Sequence, residues 1–131
     1  LSSIETPDEN RTSETVLAVA DSQINITSGN KVFVMAHAII AVNGNTNASS
    51  GMHIREGTDT TGAIMHSGRF MGGASNIYFT DHTIMALDAS PASTTPSYAM
   101  TYWKGSGGTS SVYLYSSSLD YLKIVLMEVA G

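Results

Sequence analysis

The sequence predicts an all-β domain, a two-sheet sandwich or jelly roll of about eight or nine short strands. Three observations predict it. Short stretches rich in Val, Ile, Thr and Tyr recur along the chain. Clusters of Gly, Ser, Asn and Pro separate them. No segment sustains an i, i+3, i+4 apolar stripe with helix caps.

The elements follow in order. Residues Leu1–Thr12 are polar and include Pro7, Asp8 and Glu9, which reads as an arm or linker without intrinsic structure. The expected division is therefore an arm over residues 1–14 and a folded domain over 15–131. Thr15–Ala20 (TVLAVA) is apolar and β-branched. Gln23–Thr27 (QINIT) alternates, with Ile24 and Ile26 on one face. Ser28-Gly29-Asn30 signals a turn. Lys31–Val42 (KVFVMAHAIIAV) is the strongest strand, and its near-continuous apolarity predicts cover on both faces.

Asn43–Gly51 reads as a loop that begins with a tight-turn Asn-Gly dipeptide. Met52–Arg55 and Ala63–His66 read as short strands around the turn Gly57–Gly62, and Gly68–Ser75 as a loop. Ile77–Leu87 is a strand region with a bend expected at Asp81–His82. Asp88–Pro96 is a turn-rich connector. Ser97–Lys104 alternates, with Tyr98, Met100 and Tyr102 on one side and Ala99, Thr101 and Trp103 on the other. Ser111–Tyr115 and Tyr121–Ala130 complete the set. The last, YLKIVLMEVA, is apolar on both faces apart from Lys123 and Glu128. Such a strand must be central or covered on its second face, and another subunit is one such cover.

The totals narrow the function classes. A chain of 131 residues suits one domain. At this length a fold buries roughly 65–70% of its unfolded surface without staples. With no cysteine there is no disulfide framework and no Cys-based zinc site. The net charge is −5, and the six basic residues are scattered. No basic patch neutralises phosphates, so nucleic acid is not an expected partner. Ser and Thr number 32 while charged residues are only 13%, a surface usual in exported adhesins and virion proteins. No apolar run approaches the ~18–20 residues that span a bilayer. The first residues carry no basic and apolar leader pattern and begin with Leu1, which suggests a processed chain or part of a longer one.

Catalytic and metal-binding patterns are weak. No G-x-S-x-G elbow is present, and Asp81 and His82 are neighbours that a strand points to opposite faces. His37, His53, His66 and His82 fall on different strands without local ligand spacing. Asp59 and Asp88 sit in loops without an Asp-rich calcium motif. A glycan-processing site needs two carboxylates in one groove, for which Glu56, Asp81 and Glu128 are the strand-borne candidates. The expectation is no enzyme, no cofactor and no metal. Tyr98, Tyr102, Trp103, Tyr113, Tyr115 and Tyr121 crowd the last third. Tyr and Trp suit sites with one end buried and one wet, so these are the candidates for a subunit interface or ligand surface, set against a place in the core.

Three blocks resemble a known family. Ile26–Val42 (ITSGNKVFVMAHAIIAV) is a turn leading into a long apolar strand. Leu87–Tyr102 (LDASPASTTPSYAMTY) is a turn-rich connector leading into an alternating strand, and Leu122–Gly131 (LKIVLMEVAG) is the closing strand. In this order they resemble the C-terminal jelly-roll domains of bacteriophage tail-fibre and virion-surface proteins, especially those of marine and cyanobacterial phages. The resemblance spans about Thr15–Gly131, and none of its blocks is catalytic. The Asp88-Ala89-Ser90-Pro91 stretch is one residue longer than the family's block, within a loop.

The resemblance implies a virion structural protein. It would be a homotrimer shaped like the complement-C1q/tumour-necrosis-factor heads, with the apolar second face of one sheet buried between subunits. The implied role is a tail-fibre tip for host attachment, on the outer surface of the particle. Its partners would be other virion proteins and a host surface glycan or protein. Loops Asn43–Ser50, Gly57–Gly62 and Gly68–Ser75, expected together at one end, would carry specificity. The alternatives are a capsid decoration protein whose arm clasps neighbouring capsomers, and a carbohydrate-binding module or small glycan-active enzyme.

Overall fold

The computed structural model describes residues 2–3, 10–11, 13–43, 49–71, 77–104, 111–114 and 122–131, with side chains for 13–39, 50–69, 81–103 and 122–131. Its strands are β1 (Ser2–Ser3), β2 (Asn10–Arg11), β3 (Thr15–Ala20), β4 (Lys31–Asn43), β5 (Ser49–Glu56), β6 (Ile64–Met71), β7 (Ile77–Asp88), β8 (Tyr98–Lys104), β9 (Ser111–Leu114) and β10 (Leu122–Val129). No helix occurs among the described residues.

Two antiparallel sheets form a sandwich. The first has the order β1-β3-β8-β5-β6. The second is built on β4. β7 runs along one edge of β4 over its whole length. β10 pairs with residues 31–38 of β4 and β9 with residues 40–43, and β2 lies beyond β9. The all-β sandwich is thus as expected. The order of strands is the new information, because the closing strand β10 lies against β4 and not beside the opening strand β3.

The core lies between the sheets and follows the period-2 alternation of strands. Val32, Val34, Ala36 and Ala38 of β4 point inward and are fully buried. They meet Leu17, Met52, Ile54, Tyr98, Met100 and Tyr102 from the first sheet, with Ile84, Leu122 and Ile124 from their own. Burying each Val, Leu, Ile or Met side chain among them contributes about 1.5–3 kcal/mol against leaving it in water. At Gly68 of β6, a Cβ would run into Ile84 Cγ2 of β7. A small residue there lets the two edge strands approach across the sandwich.

Several expectations are corrected. Gln23–Thr27 is not a strand, although its alternation is used. Ile26 is buried with its N–H on Thr94 O at 2.9 Å, and Ile24 packs on the core margin. Gly68–Met71 is strand and not loop, since it continues β6 against Ser49–Met52. β7 shows no break at Asp81–His82, because its register with β4 is unbroken from Ile77 to Asp88. The arm contributes two short pairings, Ser2–Ser3 on β3 and Asn10–Arg11 on β9. Ser28-Gly29 forms the expected turn: Asn30 N donates to Thr27 O at 3.0 Å, and Gly29 has φ 89°, the left-handed value that a type II turn needs at this position.

Candidate functional site

The two sheets finish their outer faces in different ways. On the first sheet, Glu14 enters just before β3 and collects three polar side chains from two strands, β5 and β8. Its Oε1 accepts from Arg55 Nε at 2.7 Å, Thr101 Oγ1 at 2.7 Å and His53 Nδ1 at 3.1 Å, and its Oε2 from Arg55 Nη2 at 2.8 Å. Burial alone would push the Glu14 carboxyl up. The hydrogen bonds from Arg55, Thr101 and His53 outweigh this and hold it at about 2. Arg55 also donates through Nη1 to Gly62 O, which ties down the loop 57–62. Trp103 stacks on His53 with ring centroids 5.5 Å apart, over Gly51, where a Cβ would meet the indole.

On the second sheet the outer face is apolar. The registers of β7, β4 and β10 place side chains in rows across it. Leu87, Phe33 and Met127 form one row, and Met85, Met35 and Val125 the next. Leu87, Met85, Met127 and Val125 are exposed, from 45% at Val125 to 54% at Leu87. Thr83, His37 and Lys123 form the third row, and Asp81 sits opposite Ile39 beyond them. His37 Nδ1 lies 2.9 Å from Thr83 Oγ1, and its Nε2 lies 4.0 Å from Asp81 Oδ1. At the other end of the patch stand Lys31 and Val129.

This patch is two rows deep and three strands wide. With strands ~4.8 Å apart and rows ~6.8 Å apart, it covers roughly 200 Å² of sheet. That is the size of an interface centre, since a partner in a stable complex buries about 800 Å² in all. Contiguous exposed apolar surface bordered by polar groups marks an interaction site.

Tyr98, Tyr102 and Trp103 do not build this face. Tyr98 and Tyr102 are 1% and 0% exposed and belong to the core, so neither offers a surface in this chain. Tyr98 donates to Asp88 Oδ2 at 2.8 Å, and burial pushes its phenol far up. Burial also pushes the Tyr102 phenol up to about 12. Trp103 lies on the outer face of the first sheet. Tyr113 lies in β9, opposite Asn10 and Ala41, with its side chain outside the described residues. Tyr115 and Tyr121 lie outside the described residues. The signal that does find the face is the apolarity of both sides of Lys31–Val42 and Tyr121–Ala130.

The remaining candidates take structural places. Glu128 accepts from Thr27 N and Asn30 Nδ2, each at 2.7 Å, and those bonds pull its carboxyl down. It stands seven positions along β4 from Asp81, while Glu56 ends β5 in the other sheet, so the three carboxylates share no groove. Asp88 accepts from Tyr98 and from Ser90 N, and Asp59 from Thr61 N and Oγ1. Among the described residues no three His, Cys, Asp or Glu side chains gather as a metal site. Burial pushes the half-buried His82 down.

The loops also divide. Gly57–Gly62 follows the end of β5, and its Gly57 N donates to Ser97 O at 2.8 Å. Of the other two loops expected beside it, residues 44–48 and 72–76 lie outside the described residues, and the strand ends that border them, Ser49 of β5 and Met71 of β6, are the ends away from Gly57–Gly62.

Comparison with protein-family models, with curated proteins and with solved structures returns no match.

Proposed function

We propose that this chain is a self-assembling structural module, a homotrimeric virion-surface domain that serves as a tail-fibre tip in host attachment. The observation that carries the reading is the apolar outer face of β7, β4 and β10. Six adjacent apolar side chains in register, four of them about half exposed, cost solubility unless another surface covers them. A closed ring of copies covers such a face on every subunit alike. The Ser/Thr-rich, weakly charged composition fits an exposed particle surface, and the jelly-roll, C1q-like shape belongs to this proposal. The described arm pairings fall on β3 and β9 of the same chain, which favours a tip over a decoration protein held by a reaching arm.

Sedimentation equilibrium tests the assembly. A trimer at low micromolar concentration is the expected result, and a strictly monomeric species of normal stability sinks the proposal. Immunogold labelling of intact particles carrying the protein tests its place. Gold confined to fibre tips is expected, and gold spread over the shell would make it a decoration protein.

A further inference from the structure

The connector from β7 to β8 crosses one end of the sandwich and leaves a cleft on each side of it. The larger cleft, about 380 Å³, lies between the turn at 27–30 and residues 89–94. The smaller, about 200 Å³, lies between residues 92–98 and the end of β5 at Glu56 and Gly57. Ala92 and Ser93 line both clefts and form the ridge between them. Both walls of the larger cleft are fastened to the body of the fold. Glu128 of β10 holds one through Thr27 N and Asn30 Nδ2. Buried Asp88 holds the other through Ser90 N at 3.0 Å, and Ser93 Oγ accepts from Thr95 N at 3.2 Å. The bond from Ile26 N to Thr94 O joins the two walls. A cleft fixed before binding does not charge its ligand with ordering the loops.

The lining gives the chemistry of the ligand. Among the described residues no charged side chain lines the larger cleft, so an ion would lose water there without a counter-charge. No aromatic side chain lines it either, which removes the groove that a proline-rich peptide needs. Its lining consists of hydroxyls on Ser28, Ser90 and Thr94, the peptide groups of the two loops, and small apolar surface on Ile26, Ala89 and Pro91. Hydroxyls and peptide groups both donate and accept hydrogen bonds. That mixture suits a ring with hydroxyls on its rim and C–H groups on its faces. In the smaller cleft Glu56 and Asp88 add carboxylates, which accept from sugar hydroxyls and repel an anionic sugar.

We infer that this end of the sandwich binds a neutral saccharide chain, one unit in the larger cleft and the next in the smaller, across the Ala92–Ser93 ridge. This rests on the host-attachment reading above and supplies its ligand class and its site. The Gly57–Gly62 loop stands at the same end, where Gly57 N donates to Ser97 O. The clefts are complete within one chain, so binding can be measured apart from assembly.

Backbone amide NMR shifts of the whole chain test the site. The probes are the methyl glycosides of glucose, galactose, mannose and N-acetylglucosamine. At least one is expected to shift the amides of Gly29, Ala89, Ala92 and Ser93 with a millimolar dissociation constant, and a disaccharide built on that sugar to bind about tenfold tighter. Ala92→Trp, on the exposed ridge, fills both clefts and should weaken binding at least about tenfold with an unchanged urea midpoint. Should that variant lose stability, Ser28→Trp on the opposite, exposed wall repeats the test. No shift with any of the four sugars at about 100 mM overturns the inference and leaves a trimer at fibre tips standing. Glucuronate binding as well as the neutral sugars, or full binding by a folded Ala92→Trp variant, also overturns it. Sugar binding at these amides by a chain that stays monomeric upholds the clefts and overturns the assembly.

Discussion

The outer faces of the two sheets are made from the same kind of strand and end in opposite conditions. On the first sheet, a carboxylate, a guanidinium, an imidazole and a hydroxyl satisfy one another, and Thr101 beneath them is fully buried. On the second, Met85, Leu87, Val125 and Met127 stand half exposed, with polar groups only at the ends of the rows. The first face is finished inside the chain around Glu14, because the side chains of Arg55, His53 and Thr101 each have their partner in the same molecule. The second is finished only by something else. A substitution on the first face should therefore register in folding, and one on the second in association.

The largest expected effect is on the finished face. Glu14→Ala leaves Arg55, whose side chain is 11% exposed, without its carboxylate. Removing one partner of a largely buried pair costs about 3–4 kcal/mol, read as a lower urea midpoint with an unchanged slope. The acid dependence gives a second reading of the same group. The Glu14 carboxyl is held at about 2, below its ordinary 4.5. A depressed carboxyl stabilises the fold fully above pH 4.5 and loses that contribution as pH falls from there towards 2. At 1.36 kcal/mol per unit, discounted for partial exposure, the loss is on the order of 2–3 kcal/mol. Glu14→Gln should remove this part of the acid transition. An acid limb identical in the two proteins would show that the network does not carry it.

On the open face the effect moves to assembly. Met35→Ser with Val125→Ser breaks the middle of the patch. The pair should raise the dissociation constant at least about a hundredfold, or roughly 2.8 kcal/mol. Because Val125 is 45% exposed and Met35 half-buried, unfolding of the dilute monomer should shift by no more than about 1 kcal/mol. Equal damage to folding and association would erase the contrast between the two faces.

That contrast was partly legible in the residues themselves. Thr15–Ala20 and Lys31–Val42 read as strands because β-branched side chains fit a pleated, half-buried surface, and they form β3 and β4 with nearly the same ends. The double-sided apolarity of β4 and β10 was visible too. Apolarity says that a face wants cover but not whether the chain supplies it, and only the registers showed Phe33 between Leu87 and Met127 in the open. For Tyr98 and Tyr102, alternation put both on one side of β8 without telling which side was the core. The Glu14 network was not legible at all. Its partners lie 39, 41 and 87 positions away, and a lone Glu before a strand carries no local pattern. Gly68 read as loop because glycine usually marks turns, whereas here it makes room for Ile84.

A smaller effect is expected where the sheets are joined. Tyr98→Phe removes the hydroxyl that donates to Asp88 Oδ2 and leaves that buried carboxylate held by Ser90 N at its other oxygen. The loss should be about 1–2 kcal/mol in unfolding free energy, with association through the open face unchanged.

The smallest effect belongs to the turn that leads into β4. Gly29 has φ 89° in open space, so Gly29→Ala meets no side chain but must hold a left-handed backbone. The cost should be about 1 kcal/mol, close to the penalty for a Cβ in that region. Glu128 of β10 holds the same turn through Thr27 N and Asn30 Nδ2, so loosening the turn loosens the end of the open face beside Lys31 and Val129. Gly29→Ala therefore separates the two readings of that end. If the end of the patch takes part in the contact, the dissociation constant rises a few-fold along with the loss of stability. If only the two central rows do, stability falls alone and the constant stays where it was.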